Sequence, residues 1–152
     1  MGFPKAGFFR RFTAFAVDIV ILDLLGTLIT YPLTSKFEFS TDDILDSLLT
    51  GGGLSEALIL FFLLYISLET LLWGFYFTFF TGWNGQTPGK KIMRIRVDSI
   101  DNRPMNYHIA FTRFTGYSLS AGFFMIGFIW MLFDRNNQTW HDKIAQTVVV
   151  SI

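Results

Sequence analysis

The chain has 152 residues, half of them hydrophobic and 18% aromatic, with 16% charged and no cysteine. A soluble domain of this size carries about a quarter charged residues, so this balance and the positive mean hydropathy exclude an ordinary soluble core and indicate a membrane class. Twelve basic residues cancel twelve acidic ones, which gives no nucleic-acid signal, and the lack of cysteine removes disulfide staples and thiolate metal sites.

The opening residues carry Lys5, Arg10 and Arg11, and positive charges directly before an apolar run hold the N-terminus in the cytoplasm. From Phe12 to Tyr31 the chain is apolar for about 20 residues, enough to cross a bilayer core of about 30 Å. No small-residue cleavage site follows, so this run is expected to be a retained span. Asp18 and Asp23 lie inside it. A carboxylate at that depth costs several kcal/mol unless it has a partner, a water-filled cavity or a proton. Residues 33–54 form an acidic loop with a single Lys36 and a run of three glycines, which reads as external.

A second span is expected over about residues 55–80, with Glu69 well inside it. The loop over 81–113 carries Lys90, Lys91, Arg94, Arg96, Arg103 and Arg113 against Asp98 and Asp101. It is therefore cytoplasmic, like the N-terminus. Met93, Ile95 and Val97 alternate with charged residues, the period of a surface strand.

A third apolar run covers 114–133, and a polar tail, 134–152, ends in the β-prone Thr147–Ile152. Two placements compete. A full span leaves the tail external; pairing of the tail with Ile92–Ser99 makes the third run re-entrant and the tail cytoplasmic. Length is given the greater weight, which favours the span. The expected fold is an all-α membrane protein, one domain over 7–152, with three apolar helices, the third open to a re-entrant reading, and a small cytoplasmic β-prone segment. Gly116, Ser120 and Gly127 share one helical face and offer a seam for a second helix.

The intramembrane acids are the candidates for chemistry. Arg11 and Asp18 share a helical face about 10 Å apart, and Arg113, entering from the same side, is the expected partner for Asp18. Asp23 points elsewhere. It lies at the same depth as Glu69, roughly 18 Å from the cytoplasmic side, where the two could share a proton or bind a cation. Against this stands a structural reading, with the acids held by arginine or by the hydroxyls of Thr27, Thr30 and Ser67. Gly85-Gln86-Thr87-Pro88-Gly89-Lys90 departs from a phosphate loop, since no Ser or Thr follows Lys90; it reads as a tight turn before a basic strand. The basic residues suit anionic lipid headgroups, at about 1 kcal/mol each. His141 is expected to bond a loop backbone or a carboxylate. Neither a catalytic constellation nor a metal spacing is visible, so no enzyme and no cofactor is expected.

Taken in order, these motifs resemble the RDD family of small membrane proteins, named for one Arg and two Asp. Arg11 with Asp18 is similar to the family's Arg and first Asp. Gly85 to Lys91 resembles its central signature, and Arg113 with Asp134 and Gln138 to Lys143, which includes His141 and Asp142, its closing one. Either Asp134 or Asp142 would be the second Asp. The resemblance implies a bacterial inner-membrane protein, and some members are described as sodium/proton antiporters. So short a chain would act as a homo-oligomer moving a sodium ion or proton on Asp18, Asp23 and Glu69. The alternative is a non-transporting scaffold or partner subunit that docks through the basic loop and tail.

Overall fold

The computed structural model describes residues 4–36, 42, 45, 46, 49, 55–101, 103–123 and 126–152. Most of the acidic loop expected to be external therefore lies outside the described residues. The elements in chain order are α1 (Phe8–Thr34), α2 (Glu56–Asn84), α3 (Pro88–Ile92), β1 (Ile95–Ser99), α4 (Tyr107–Gly122), α5 (Ile126–Ile129) with a 3₁₀ turn at Trp130–Leu132, α6 (Trp140–Ile144) and β2 (Thr147–Ser151).

Two of these helices are long and apolar enough to cross a membrane: α1 with 27 residues and α2 with 29. At 1.5 Å per residue both exceed a bilayer core of about 30 Å, and each begins or ends beyond the expected apolar run. The chain divides into two units, Met1–Ile21 with Gly74–Ile152, and Leu22–Trp73. The second consists of the C-terminal half of α1, the larger part of α2 and the connection between them. In that unit the Glu69 carboxylate closes on Gly26, where a Cβ would lie 2.6 Å from Oε1.

The first unit carries the polar chemistry. β1 and β2 pair antiparallel, with Val97 opposite Val149, and the N-terminal segment joins them through a bridge between Lys5 and Val150. Ala6, Ala14, Ile95, Val97 and Val149 form its buried core. This pairing bears on the two placements of the third apolar run, and is the arrangement that the re-entrant placement requires. The residues before and after the third apolar run meet in one sheet. The run is not one helix, for α4 and the segment 126–132 are bent by 112°. About 20 apolar residues suit a bent pair of short helices as well as one long one, and the bent pair fits a broken span or a re-entrant loop.

A repeat at a spacing of 52 residues organises this unit. Gln86-Thr87, then Lys91-Ile92, recur as Gln138-Thr139 and Lys143-Ile144. Thr87 and Thr139 cap five-residue helices through their side chains. Arg94 and Gln146, at φ 53° and 52°, turn the chain into β1 and β2. The Gln86 amide donates to the Ile95 carbonyl at 2.9 Å, and Gln138 does the same to Thr147 at 2.9 Å. Because Val97 faces its own counterpart Val149, the two copies are related by a local two-fold.

Two glycines test this packing. A Cβ on Gly89 would overlap the Ala14 carbonyl oxygen and lie 2.9 Å from the Asp18 carboxyl carbon, whereas Gly122 has open space around it. Gly89→Ala is expected to cost about 1–3 kcal/mol through overpacking, while Gly122→Ala, which adds helix propensity, leaves stability equal or higher. Thermal unfolding of the two variants in one detergent checks this.

Candidate functional site

Asp142 is the centre of the site. It is the third residue of α6, where a Thr139 side chain caps the helix and the Asp142 carboxylate reaches back to the Thr139 N–H at 3.2 Å. That capping box fixes its orientation. Arg11 of α1 reaches Oδ2 at 2.7 Å and Arg113 of α4 reaches Oδ1 at 2.6 Å. The Asp142 side chain is wholly buried and that of Arg113 nearly so. Arg11 also donates to the Ala6 carbonyl at 3.1 Å, and Arg113 to the Thr147 hydroxyl. One carboxylate thus joins α1, α4, α6 and the strand ends.

Burial alone would raise the Asp142 pKa. The guanidiniums of Arg113 and Arg11 and the Thr139 N–H together bring it below the usual carboxylate range. His141 is shifted the other way from a charged state. Burial drives it well below the ordinary histidine value; Asp142 opposes this, and Arg113, Lys90 and Arg11 add to it. It is neutral at physiological pH. Its ring stands edge-on to Tyr117 at 4.2 Å and beside Phe128 at 5.1 Å. Its Nε2 lies 3.7 Å from Asp142 Oδ1, so the ring sits beside the expected carboxylate, beyond hydrogen-bond distance, and packs against aromatic side chains of α4 and α5.

Asp18 has a different shell. It is 1% exposed, and it accepts from the Tyr76 hydroxyl at 2.8 Å, the Thr87 hydroxyl at 2.5 Å and the Gly89 N–H at 2.8 Å. The expected pairing of Asp18 with Arg113 is corrected: Arg113 goes to Asp142, and Asp18 is held by neutral donors. The Gln86-Thr87-Pro88-Gly89 turn explains why. Pro88 starts a short helix whose first N–H groups need an acceptor, and Asp18 supplies it. Gly85, at φ 75°, admits the close approach of the Val97 carbonyl, and Lys90, which follows Gly89, is buried.

The remaining candidates are placed as follows. Asp23 is exposed and Glu69 half-buried. Asp134 bonds Lys143 at 2.5 Å near the surface, where the Lys143 ammonium and the N–H groups of Gln138 and Asn136 lower its pKa. Between the two alternatives for a second Asp, the geometry gives the arginine contacts to Asp142. The seam at Gly116 and Ser120 is occupied from within the chain. Gly116 meets His141 of α6, with 2.7 Å between a built Cβ and the His141 Cβ, and Ser120 meets Gly127. The face that suggested an oligomer contact is a fold contact. Among the described residues no group of three His, Asp or Glu is placed to hold a metal.

Two apolar helices long enough to span, joined to a polar cap held by buried charge, define a helical integral membrane protein. The chain belongs to the RDD family, whose model it matches over residues 5–146. A search of curated proteins and one of solved structures return no match.

Two outcomes follow. Asp142→Asn leaves two guanidiniums facing an uncharged group and is expected to cost about 3–5 kcal/mol, whereas Asp134→Asn, at a surface pair, is expected to cost far less; unfolding in detergent compares them. Because the folded His141 resists protonation while the unfolded one accepts it near pH 6.5, stability falls as pH drops below that value. Between pH 7.5 and 5.5 the His141 contribution is about 1 kcal/mol, and His141→Gln should flatten the stability profile over this window.

Proposed function

We propose that this RDD protein acts as a homo-oligomer in the bacterial inner membrane and moves a sodium ion or proton on Asp23 and Glu69. The observation that carries this reading is the state of those two acids. Both lie in helices of spanning length, Asp23 exposed and Glu69 half-buried. The hydrogen bonds among the described residues include none to either carboxylate. A carboxylate left so in hydrocarbon needs a proton, a cation or a neighbouring chain. Asp18 and Asp142, by contrast, already have their donors, which suits fixed structural roles. The N-terminus, basic loop and tail are cytoplasmic in this reading, supported by the excess of Lys and Arg and by the pairing of Lys5 and β1 with β2.

The scaffold alternative has its own support. Lys91, Arg94 and Arg103 are exposed on the unit built from the N-terminus, the loop and the tail. That surface suits anionic headgroups or a partner protein.

Ion flux into proteoliposomes under a sodium or proton gradient separates the two. Glu69→Gln and Asp23→Asn are each expected to lower flux at least tenfold with the protein still folded. Unchanged flux in both variants, or none above empty liposomes for the unaltered protein, removes the transport reading and leaves the scaffold.

A further inference from the structure

The local two-fold places Lys90 and Asp142 at equivalent positions, each the third residue of its Thr-capped helix and each buried. The fold treats them differently. Asp142 has two guanidiniums. Among the described residues the Lys90 Nζ is buried and has no hydrogen-bond partner, with the residue 9% exposed. A buried ammonium left without a counterion costs several kcal/mol. The nearby acids are taken: Asp18 accepts from Tyr76, Thr87 and Gly89, and Asp142 from both arginines.

Lys90 lines a cavity of about 420 Å³ with Arg11, Arg113 and His141. Three cations therefore border it together with a neutral histidine, and Arg113 Nε is likewise without a hydrogen bond. The other walls are apolar, among them Phe12 and Ile19 of α1 and Ile129 of α5. These three are well exposed, so the cavity opens along the outer, membrane-facing side of α1. Its size lies within the ordinary range for a small-ligand pocket. A cationic floor under aromatic and aliphatic walls matches one kind of molecule.

We propose that this cavity binds a single anionic amphiphile, with a phosphate or carboxylate head against Lys90 and Arg113 and an acyl chain along Phe12 and Ile19. The site differs from the exposed basic surface, because its ammonium is buried and its walls are apolar. It does not depend on ion movement through Asp23 and Glu69. The chemistry of the head is shared by a membrane lipid and a free oxyanion, and the apolar walls favour the lipid.

The test uses the full-length protein in detergent, titrated with dioleoyl phosphatidate, dioleoyl phosphatidylcholine or inorganic phosphate, with binding read by native mass spectrometry and by thermal shift. Phosphatidate is expected to bind saturably and raise the unfolding temperature; phosphatidylcholine and inorganic phosphate should do neither. Lys90→Met should weaken phosphatidate binding at least tenfold, while Lys91→Met, at the exposed neighbour, keeps it. Equal binding by Lys90→Met, equal binding of inorganic phosphate, or no saturable phosphatidate binding would each overturn the proposal. Should Lys90→Met not fold, Ile19→Trp narrows the apolar wall without touching a charge; it should weaken phosphatidate binding, and unchanged affinity there overturns the proposal as well.

Discussion

The bond on which this structure rests is the shared carboxylate of Asp142. Its two oxygens meet Arg11 and Arg113 at 2.7 and 2.6 Å. Removing these ions from water is costly, and their attraction repays that cost only where the geometry is close and the remaining donors are satisfied. Here the helix cap, the Ala6 carbonyl and the Thr147 hydroxyl take most of those donors. The arrangement supplies what burial of apolar surface supplies in a soluble domain, a reason for several elements to meet at one point. Inside lipid that reason is scarce, since hydrocarbon tails are as apolar as the helix surfaces they cover. α1 and α2 have few buried residues, so polar contacts such as those of Arg11 and Asp18 hold the end of α1 that carries them.

Asp18 makes the same argument with neutral donors. It serves as the acceptor that a short helix beginning at Pro88 lacks, and in return three donors hold its charge at a buried position. Such a carboxylate needs no arginine, because two hydroxyls and an oriented N–H at a helix start can stabilise it. This account explains why the loop carries Thr-Pro-Gly. The threonine caps, the proline begins the turn, and only glycine lets α1 approach so closely.

The sequence made the membrane class, the two long helices and the list of charged residues legible, because hydropathy and charge placement are local properties. The partners of those charges were not. Arg113 lies as close in apparent depth to Asp18 as to Asp142, and nothing in spacing separates the two until β1 and β2 are paired. That pairing was visible in the alternating residues near Val97 and the β-prone Thr147–Ile152, yet the length of the third apolar run argued the other way. A signal that decides it does exist in the chain. Gln-Thr and Lys-Ile recur 52 residues apart, and two copies of one turn-helix-strand unit are most simply housed side by side. Read first, that repeat would have put the tail beside the basic loop and bent the third run.

The repeat also shows how one local structure came to hold opposite charges. Both copies cap a helix with threonine and bury the third residue, so the backbone fixes the depth of that side chain whatever it is. With aspartate there, the neighbouring arginines complete the shell. With lysine there, the ammonium has no hydrogen-bond partner among the described residues, and it borders a cavity that Arg11 and Arg113 also line. A fold that neutralises one copy from within and not the other is asymmetric in charge while symmetric in backbone. Evolution under stability alone would replace Lys90 by an apolar residue, since such a swap at a buried charge is often neutral or stabilising. The ammonium at this cavity therefore lacks the counter-charge that the equivalent Asp142 has, because the carboxylate of Asp18 is already engaged by Tyr76, Thr87 and Gly89.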